Sequence, residues 1–113
     1  MIITYYNRNG KRITLMEYYT LFADKSYQIL KQQILPNGDI VSTVWLGIDH
    51  SFEPEEFHKP IIFETMIFSN NSEYDNDCER YSTEEEAMEG HKRFVEKYSK
   101  GVICATEEEG NTV

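Results

Sequence analysis

The alternation of apolar and polar positions in the middle of the chain predicts three strands. The first runs over 27–35 and the second over 40–47, and the turn sequence P-N-G-D at 36–39 joins them as a hairpin. The third, I-I-F-E-T-M-I-F at 61–68, is almost wholly apolar, which is typical of a central strand with both faces covered. These three segments form the centre of the predicted sheet.

Apolar residues at helical spacing predict one helix before these strands and one after them. The first helix covers 15–24, where Thr14 and Glu17 form a capping box. The second begins at a capping box on Ser82 and ends near Ser99. The apolar stripe of the first helix consists of Leu15, Tyr18, Tyr19 and Phe22, and that of the second of Ala87, His91, Phe94, Val95 and Tyr98.

The short run I-I-T-Y-Y at 2–6 adds a first strand, so the element order is β-α-β-β-β-α. A small antiparallel sheet with helices packed on one face is the economical α+β solution for this order. The length of 113 residues suits a single α+β domain, which we place at 1–106, followed by an acidic flexible tail at 107–113. The run V-I-C-A at 102–105 is a candidate edge strand.

The strand V-S-T-V-W-L-G raises the question of which side faces the core. Its residues alternate between two sets, Ile40, Ser42, Val44 and Leu46 on one face and Val41, Thr43 and Trp45 on the other. Because the first set holds three aliphatic side chains, we expect it to form the core face. Trp45 then lies on the outer face, where a half-covered indole serves as an anchor for a partner.

The charge of the chain favours some classes of partner over others. Acidic side chains number 20 against 11 basic ones, which gives a formal charge of −9. Direct nucleic-acid binding is disfavoured because it needs clustered Lys and Arg, whereas docking onto a host protein with a basic surface is allowed. The acidic residues are concentrated at 53–56, 73–79, 84–86 and 107–109.

Other features predict a cytoplasmic protein without a cofactor. Cys78 and Cys104 lack the spacing of zinc ligands and are too few for a disulfide framework. The N-terminus has no apolar segment of signal-peptide length, and no run approaches the roughly 20 apolar residues of a membrane span. We therefore expect neither a membrane partner nor a bound cofactor.

Four ionisable residues are candidates for chemistry. Asp49 and His50 follow the second strand directly, either as an interacting acid–imidazole pair or as simple strand termination. Glu64 lies inside an apolar strand, where a carboxylate acts as a general acid or base with a raised pKa, or else pairs with Arg80. His91 lies on the stripe that faces the sheet, where a satisfied core histidine is commoner than a catalyst.

His50, Glu64 and His91 together form a candidate set of metal ligands, because two imidazoles and a carboxylate suit a catalytic zinc site. The chain contains no phosphate loop, nucleophile elbow, H-E-x-x-H or C-x-x-C motif. A metal-assisted hydrolase hypothesis therefore depends on the convergence of these three residues alone, and a protein without enzymatic activity is favoured.

Four sequence blocks in one order resemble a family of small proteins from phages, prophages and bacteria. They are R-N-G-K-R-I-T-L-M-E-Y at 8–18, V-S-T-V-W-L-G-I-D-H at 41–50, I-F-E-T-M-I-F at 62–68 and C-E-R-Y-S-T-E-E-E-A-M-E-G-H at 78–91. The resemblance implies a phage or mobile-element setting and no particular mechanism. It departs at 51–60, where the family has a Gly/Pro-rich segment and this chain has S-F-E-P-E-E-F-H-K-P. The blocks contain the candidate binding residues Trp45, Asp49, His50, Glu64, Arg80, Tyr81 and His91.

Two classes of function follow. The first is a small acidic phage-type binding protein that inhibits a host protein, such as a defence nuclease, by occluding its basic surface. The second is a nucleotide-like small-ligand binder or sponge, with Arg80 in a pocket between the sheet and the last helix. The aromatic residues that would stack on a base in that pocket are Tyr5, Tyr6, Trp45 and Tyr81. A homodimer is a candidate assembly for either class.

Overall fold

A computed structural model describes residues 3–50, 59–69 and 77–99 of the chain. The elements are β1 (Tyr5–Tyr6), β2 (Arg12–Ile13), α1 (Leu15–Ala23), α2 (Lys25–Gln28), β3 (Ile29–Ile34), β4 (Ile40–Trp45), β5 (Phe63–Phe68), β6 (Cys78–Tyr81) and α3 (Glu84–Ser99). The last four strands form one antiparallel sheet in the order β3-β4-β5-β6, with the helices on one side of it. The predicted α+β class is confirmed.

The hairpin of β3 and β4 forms as its turn sequence predicts. Gly38 has a φ of 93°, a value that only glycine adopts without strain, and the N–H of Leu35 donates to the carbonyl of Asp39 at 2.7 Å. The pairing places Ile34 opposite Ile40, and β5 continues the sheet with Phe68 opposite Ile40. The central position predicted for I-I-F-E-T-M-I-F is also correct, because β5 has a strand on each side. The prediction that both of its faces are covered is wrong, since the helices lie on one side of the sheet.

Three short elements differ from the sequence prediction. Residues 25–28 form the helix α2, which Asp24 caps through its side chain, instead of the start of the next strand. Arg12–Ile13 pairs with Tyr5–Tyr6 in a small separate sheet. Cys78–Tyr81 forms an edge strand, which the sequence pattern did not predict because C-E-R-Y has no alternation of apolar and polar residues. The candidate strand at 102–105 and the acidic tail lie outside the described residues.

The capping box of α1 is confirmed, whereas that of α3 begins one residue later than predicted. The hydroxyl of Thr14 accepts from the N–H of Glu17 at 3.1 Å, and the Glu17 carboxylate accepts from the N–H of Thr14 at 2.8 Å. At α3 the same exchange joins Thr83 and Glu86, at 3.1 and 3.2 Å. Ser82 does not cap the helix with its side chain, because its hydroxyl donates to the carbonyl of Lys59 at 3.3 Å.

The predicted core face of β4 is wrong. Val41, Thr43 and Trp45 are each 0% exposed and lie beneath the helices, whereas Val44 and Leu46 are only half-buried. The indole N–H of Trp45 donates to the carbonyl of Tyr6 at 2.9 Å, which satisfies its one polar group inside the core. Counting aliphatic residues failed because one indole buries more area than an aliphatic side chain. Trp45 is therefore a core residue and not a surface anchor.

The helix α3 lies so close to the sheet that one of its turns requires glycine. A Cβ atom added at Gly90 would overlap both the hydroxyl and the ring of Tyr81. Ala87 on the preceding turn is 0% exposed and belongs to the same core cluster as Tyr81 and Trp45. Further along α3, Phe94 and Tyr98 pack with Val41 and Ile67 in a second cluster.

We expect Gly90→Ala to destabilise the protein, although the same change in an unconstrained helix stabilises it by about 1 kcal/mol. The added methyl group must push α3 away from Tyr81, and such overpacking costs about 1–3 kcal/mol. Urea unfolding measures the change, with Glu89→Ala on the exposed side of the same turn as control. A Gly90→Ala variant more stable than wild type would contradict the close approach.

Candidate functional site

A row of polar side chains crosses the buried interface between α3 and the sheet. The hydroxyls of Thr43 and Thr65 lie 2.6 Å apart on the paired central strands, and both residues are 0% exposed. The Nδ1 of His91 lies 2.7 Å from the Thr43 hydroxyl. Thr43 and Thr65 lie on the helix-facing side of the sheet and His91 lies on α3, so the hydrogen bonds tie α3 directly to β4 and β5.

The row reaches the protein surface at both ends. On the β6 side, Tyr81 lies next to Thr65, and its hydroxyl donates to the carboxylate of Glu79 at 2.9 Å. Arg93 donates to the same carboxylate oxygen at 2.7 Å. On the β3 side, the Nε2 of His91 lies 2.8 Å from the side-chain amide of Gln33. The polar groups of the row therefore have partners from one edge strand to the other.

One proton arrangement satisfies the whole row with a neutral imidazole. The Nε2 of His91 faces the amide oxygen of Gln33, so Nε2 carries the proton and donates to that oxygen. Nδ1 then accepts from the hydroxyl of Thr43, which in turn accepts from the hydroxyl of Thr65. The hydroxyl of Tyr81 donates to Glu79.

The electrostatic surroundings favour the neutral imidazole. Burial is the larger cause that lowers the pKa of His91 below 6.5, and the nearby cation of Lys31 is the second. Burial also raises the pKa of Tyr81 to about 12, with its hydrogen bond to Glu79 acting in the same direction. Arg93 lowers the pKa of Glu79 through its hydrogen bond, so that carboxylate stays charged. His91 is 1% exposed, which leaves its ring no access to a substrate.

Asp49 and His50 act in the structure as strand termination. The Asp49 carboxylate accepts from the N–H of Ile61 at 2.8 Å, and the N–H of His50 donates to the carbonyl of Ile61 at 2.9 Å. Both bonds hold the end of β4 beside the residues that lead into β5. The His50 side chain is exposed.

The structure does not bring the candidate metal ligands together. Glu64 precedes Thr65 on β5, so its side chain leaves the sheet on the face opposite to the one that contacts His91. Glu64 instead accepts from the Nε of Arg80 at 2.9 Å, which is the structural partner considered from the sequence. Within 3–50, 59–69 and 77–99, no three His, Cys, Asp or Glu side chains form a group that could hold a metal ion.

A cleft of about 490 Å³ lies between β6 and α3, on the side of Arg80. Its lining consists of Ile61, Glu79, Arg80, Tyr81, Ser82, Glu86, Glu89 and Arg93. Both arginines already pair with carboxylates, Arg80 with Glu64 and Arg93 with Glu79. Three glutamates against two arginines leave the lining acidic on balance, which disfavours a phosphate group.

The aromatic residues proposed for base stacking do not meet in this cleft. Trp45 and Tyr6 are 0% and 2% exposed in the core, and only Tyr81 lines the cleft. The ring of Tyr5 stacks on Tyr18 with centroids 4.6 Å apart. The geometry therefore gives the nucleotide-like hypothesis less support than the sequence did.

A strongly exposed apolar surface lies on α1, which the sequence pattern assigned to the core. None of its residues is buried. The four large apolar side chains that face outward are Leu15 at 45% exposure, Met16 at 73%, Tyr19 at 60% and Phe22 at 37%. Tyr18 and Phe22 make the contacts of this helix with the Trp45 ring, at centroid distances of 5.7 and 6.3 Å. The helical spacing therefore predicted three of the four exposed residues and missed Met16, and it did not show the absence of a covering element. We call Leu15, Met16, Tyr19 and Phe22 the exposed stripe of α1.

Comparisons with known proteins leave the site without an assigned counterpart. No family model, curated protein or solved structure matches the chain. In the described part of the chain, no helix has both the length and the apolar character to span a membrane.

The buried imidazole predicts a loss of stability in mild acid. Because the folded state holds the pKa of His91 below the unfolded value of 6.5, its contribution is complete above pH 6.5. That contribution falls as the pH drops below 6.5, since the unfolded chain then binds a proton that the folded chain excludes. Carboxylates with a lowered pKa, such as Asp77 and Glu79, lose their contribution to stability only below about pH 4.5.

We therefore expect the free energy of unfolding in urea to fall between pH 7.5 and 5, and to fall less steeply in His91→Gln. The other histidines are present in both proteins and serve as the internal control. Equal slopes in the two proteins would show that His91 does not carry the dependence.

Proposed function

We propose that this protein is a binding protein without enzymatic activity, which docks onto a basic surface of a host protein and occludes it. The observation that carries the proposal is the exposed apolar stripe of α1. A second support is that His91, Glu64 and Asp49 are each engaged in a structural hydrogen bond or ion pair. These contacts leave the exposed surfaces of the protein to carry its function.

The stripe of α1 has the composition of an interface centre. Aromatic residues and Met are enriched at the centres of protein interfaces, and this helix presents Met16, Tyr19 and Phe22. A helix of 9 residues is too short to be stable by propensity alone and normally depends on burying one face. A partner that covers the stripe would supply that burial.

Acidic sequence follows a segment that contacts this helix through Tyr5. Ile48 bridges to Tyr5, and the Tyr5 ring stacks on Tyr18 of α1. The segment 51–58, which contains E-P-E-E, begins three residues after Ile48. An exposed apolar stripe on an acidic protein fits a partner surface in which basic residues surround an apolar patch.

The distribution of charge points the same way. The described residues contain 12 of the 20 acidic side chains but 10 of the 11 basic ones. Most of the formal charge of −9 therefore belongs to the segments 51–58, 70–76 and 100–113. Such charge accelerates encounter with a basic partner and makes the association sensitive to salt.

The resemblance to phage and prophage proteins suggests the class of partner. A defence nuclease of the host has a basic nucleic-acid channel, and an acidic protein seated there would exclude the nucleic acid. The proposed role is therefore inhibition by occlusion.

We expect immobilised protein to retain a bacterial host protein at low salt and to release it at about 0.5 M salt, where charge attraction is screened. Met16→Asp should abolish retention without a loss of stability, since Met16 is 73% exposed. Lys92→Gln, at an exposed position of α3, changes the net charge by the same amount elsewhere and should retain the partner.

A partner that is retained equally at low and high salt, and equally by wild type and Met16→Asp, would contradict the proposal. Absence of any retained protein at low salt, from lysates of several bacterial hosts, would contradict it as well.

A further inference from the structure

A second surface is independent of α1 and lies on the other side of the sheet. The helices occupy the face that carries Val41, Thr43 and Trp45. The alternate residues of the same strands point to the opposite face. At one end of the strands this open face presents Ile34, Ile40 and Phe68, and at the other end Val44, Glu64 and Arg80. Among the described elements no helix packs on it.

The apolar end of the open face is strongly exposed. Ile34 is 76% exposed and Phe68 is 48% exposed, and Ile40 lies between them in the sheet. Met66 continues the apolar surface towards the centre, opposite Ser42. Antiparallel sheets often expose one face to water, but that face then carries mainly polar residues. The apolar side chains here indicate that the face is covered in a complex.

The charge of the open face identifies a second copy of this chain as the occupant. Its two charged groups, Glu64 and Arg80, neutralise each other at 2.9 Å. A basic partner of the kind proposed above has no attraction to a neutral surface. Two copies with a formal charge of −9 repel each other over most of their surfaces, and a neutral apolar face is where that repulsion is least.

We propose that the open face of the sheet is a self-association surface, which packs against the same face of a second copy. A two-fold axis parallel to the strands would place the Ile34, Ile40 and Phe68 row of one copy on the same row of the other. That axis passes over Ile40, so Ile34 of each copy faces Phe68 of the other. The apolar end of the face is thus complementary to itself.

The size of the face sets the strength of the dimer. Four strands about 4.8 Å apart and six residues long cover on the order of 400 Å². Stable interfaces bury about 800 Å² per partner, so this dimer is weak and depends on concentration. Its Kd lies in the micromolar range or above.

Sedimentation equilibrium of the full chain from about 10 µM to about 1 mM tests the proposal. Reductant is included because Cys78 is exposed on this face, opposite Met66. The average mass should rise from 13.3 kDa towards twice that value, and the rise should strengthen with added salt. Ile34→Asp should keep the protein monomeric throughout, and Phe68→Asp provides a second variant on another strand.

Met16→Asp is the matched control, because Met16 at 73% is as exposed as Ile34 at 76%. It should leave the dimer unchanged, although it removes the binding proposed for α1. A wild-type chain that stays monomeric to about 1 mM overturns the self-association surface. A dimer that survives both sheet variants, or one that is lost in Met16→Asp alone, overturns it equally.

Discussion

Thr43, Thr65 and His91 occupy the centre of the helix–sheet interface, where a polar group without a partner costs about 1–3 kcal/mol. The structure meets this constraint with hydrogen bonds among the three side chains and from His91 to Gln33. Tyr81 lies next to Thr65 and donates to Glu79 at the surface. Because each bond needs a fixed geometry, the constraint also sets the position of α3 on the sheet. The close approach at Gly90 and the apolar clusters on either side follow from that position.

The same constraint determines where function can lie. A histidine with both ring nitrogens hydrogen-bonded and 1% exposure is a structural element, and Glu64 is paired with Arg80 on the other face. The exposed features are apolar and acidic, and they fall on separate parts of the molecule. The stripe on α1 suits a partner whose basic residues surround an apolar patch, whereas the open sheet face is neutral and suits a second copy. Salt should weaken the first association and strengthen the second.

Local signals in the sequence predicted the hairpin, the apolar strand and the capping box of α1, because each depends on neighbouring residues alone. The core face of β4 was predicted incorrectly, since aliphatic count ignored the large ring of Trp45 and its backbone acceptor at Tyr6. The edge strand β6 was missed because C-E-R-Y has no apolar alternation. The convergence of His50, Glu64 and His91 depended on tertiary placement, and strand register sends Glu64 and His91 to opposite sides of the sheet.

The central claim is that His91 is a neutral, buried part of a continuous hydrogen-bonded row, and the nitrogen chemical shifts of its ring test this most directly. At pH 7 we expect a neutral imidazole protonated on Nε2, slow exchange of that proton with solvent, and titration only below pH 6.5. An imidazolium at pH 7, a proton on Nδ1 instead, or rapid exchange with solvent would contradict the claim. In that case the row would not be closed, and His91 would again be open to a chemical role.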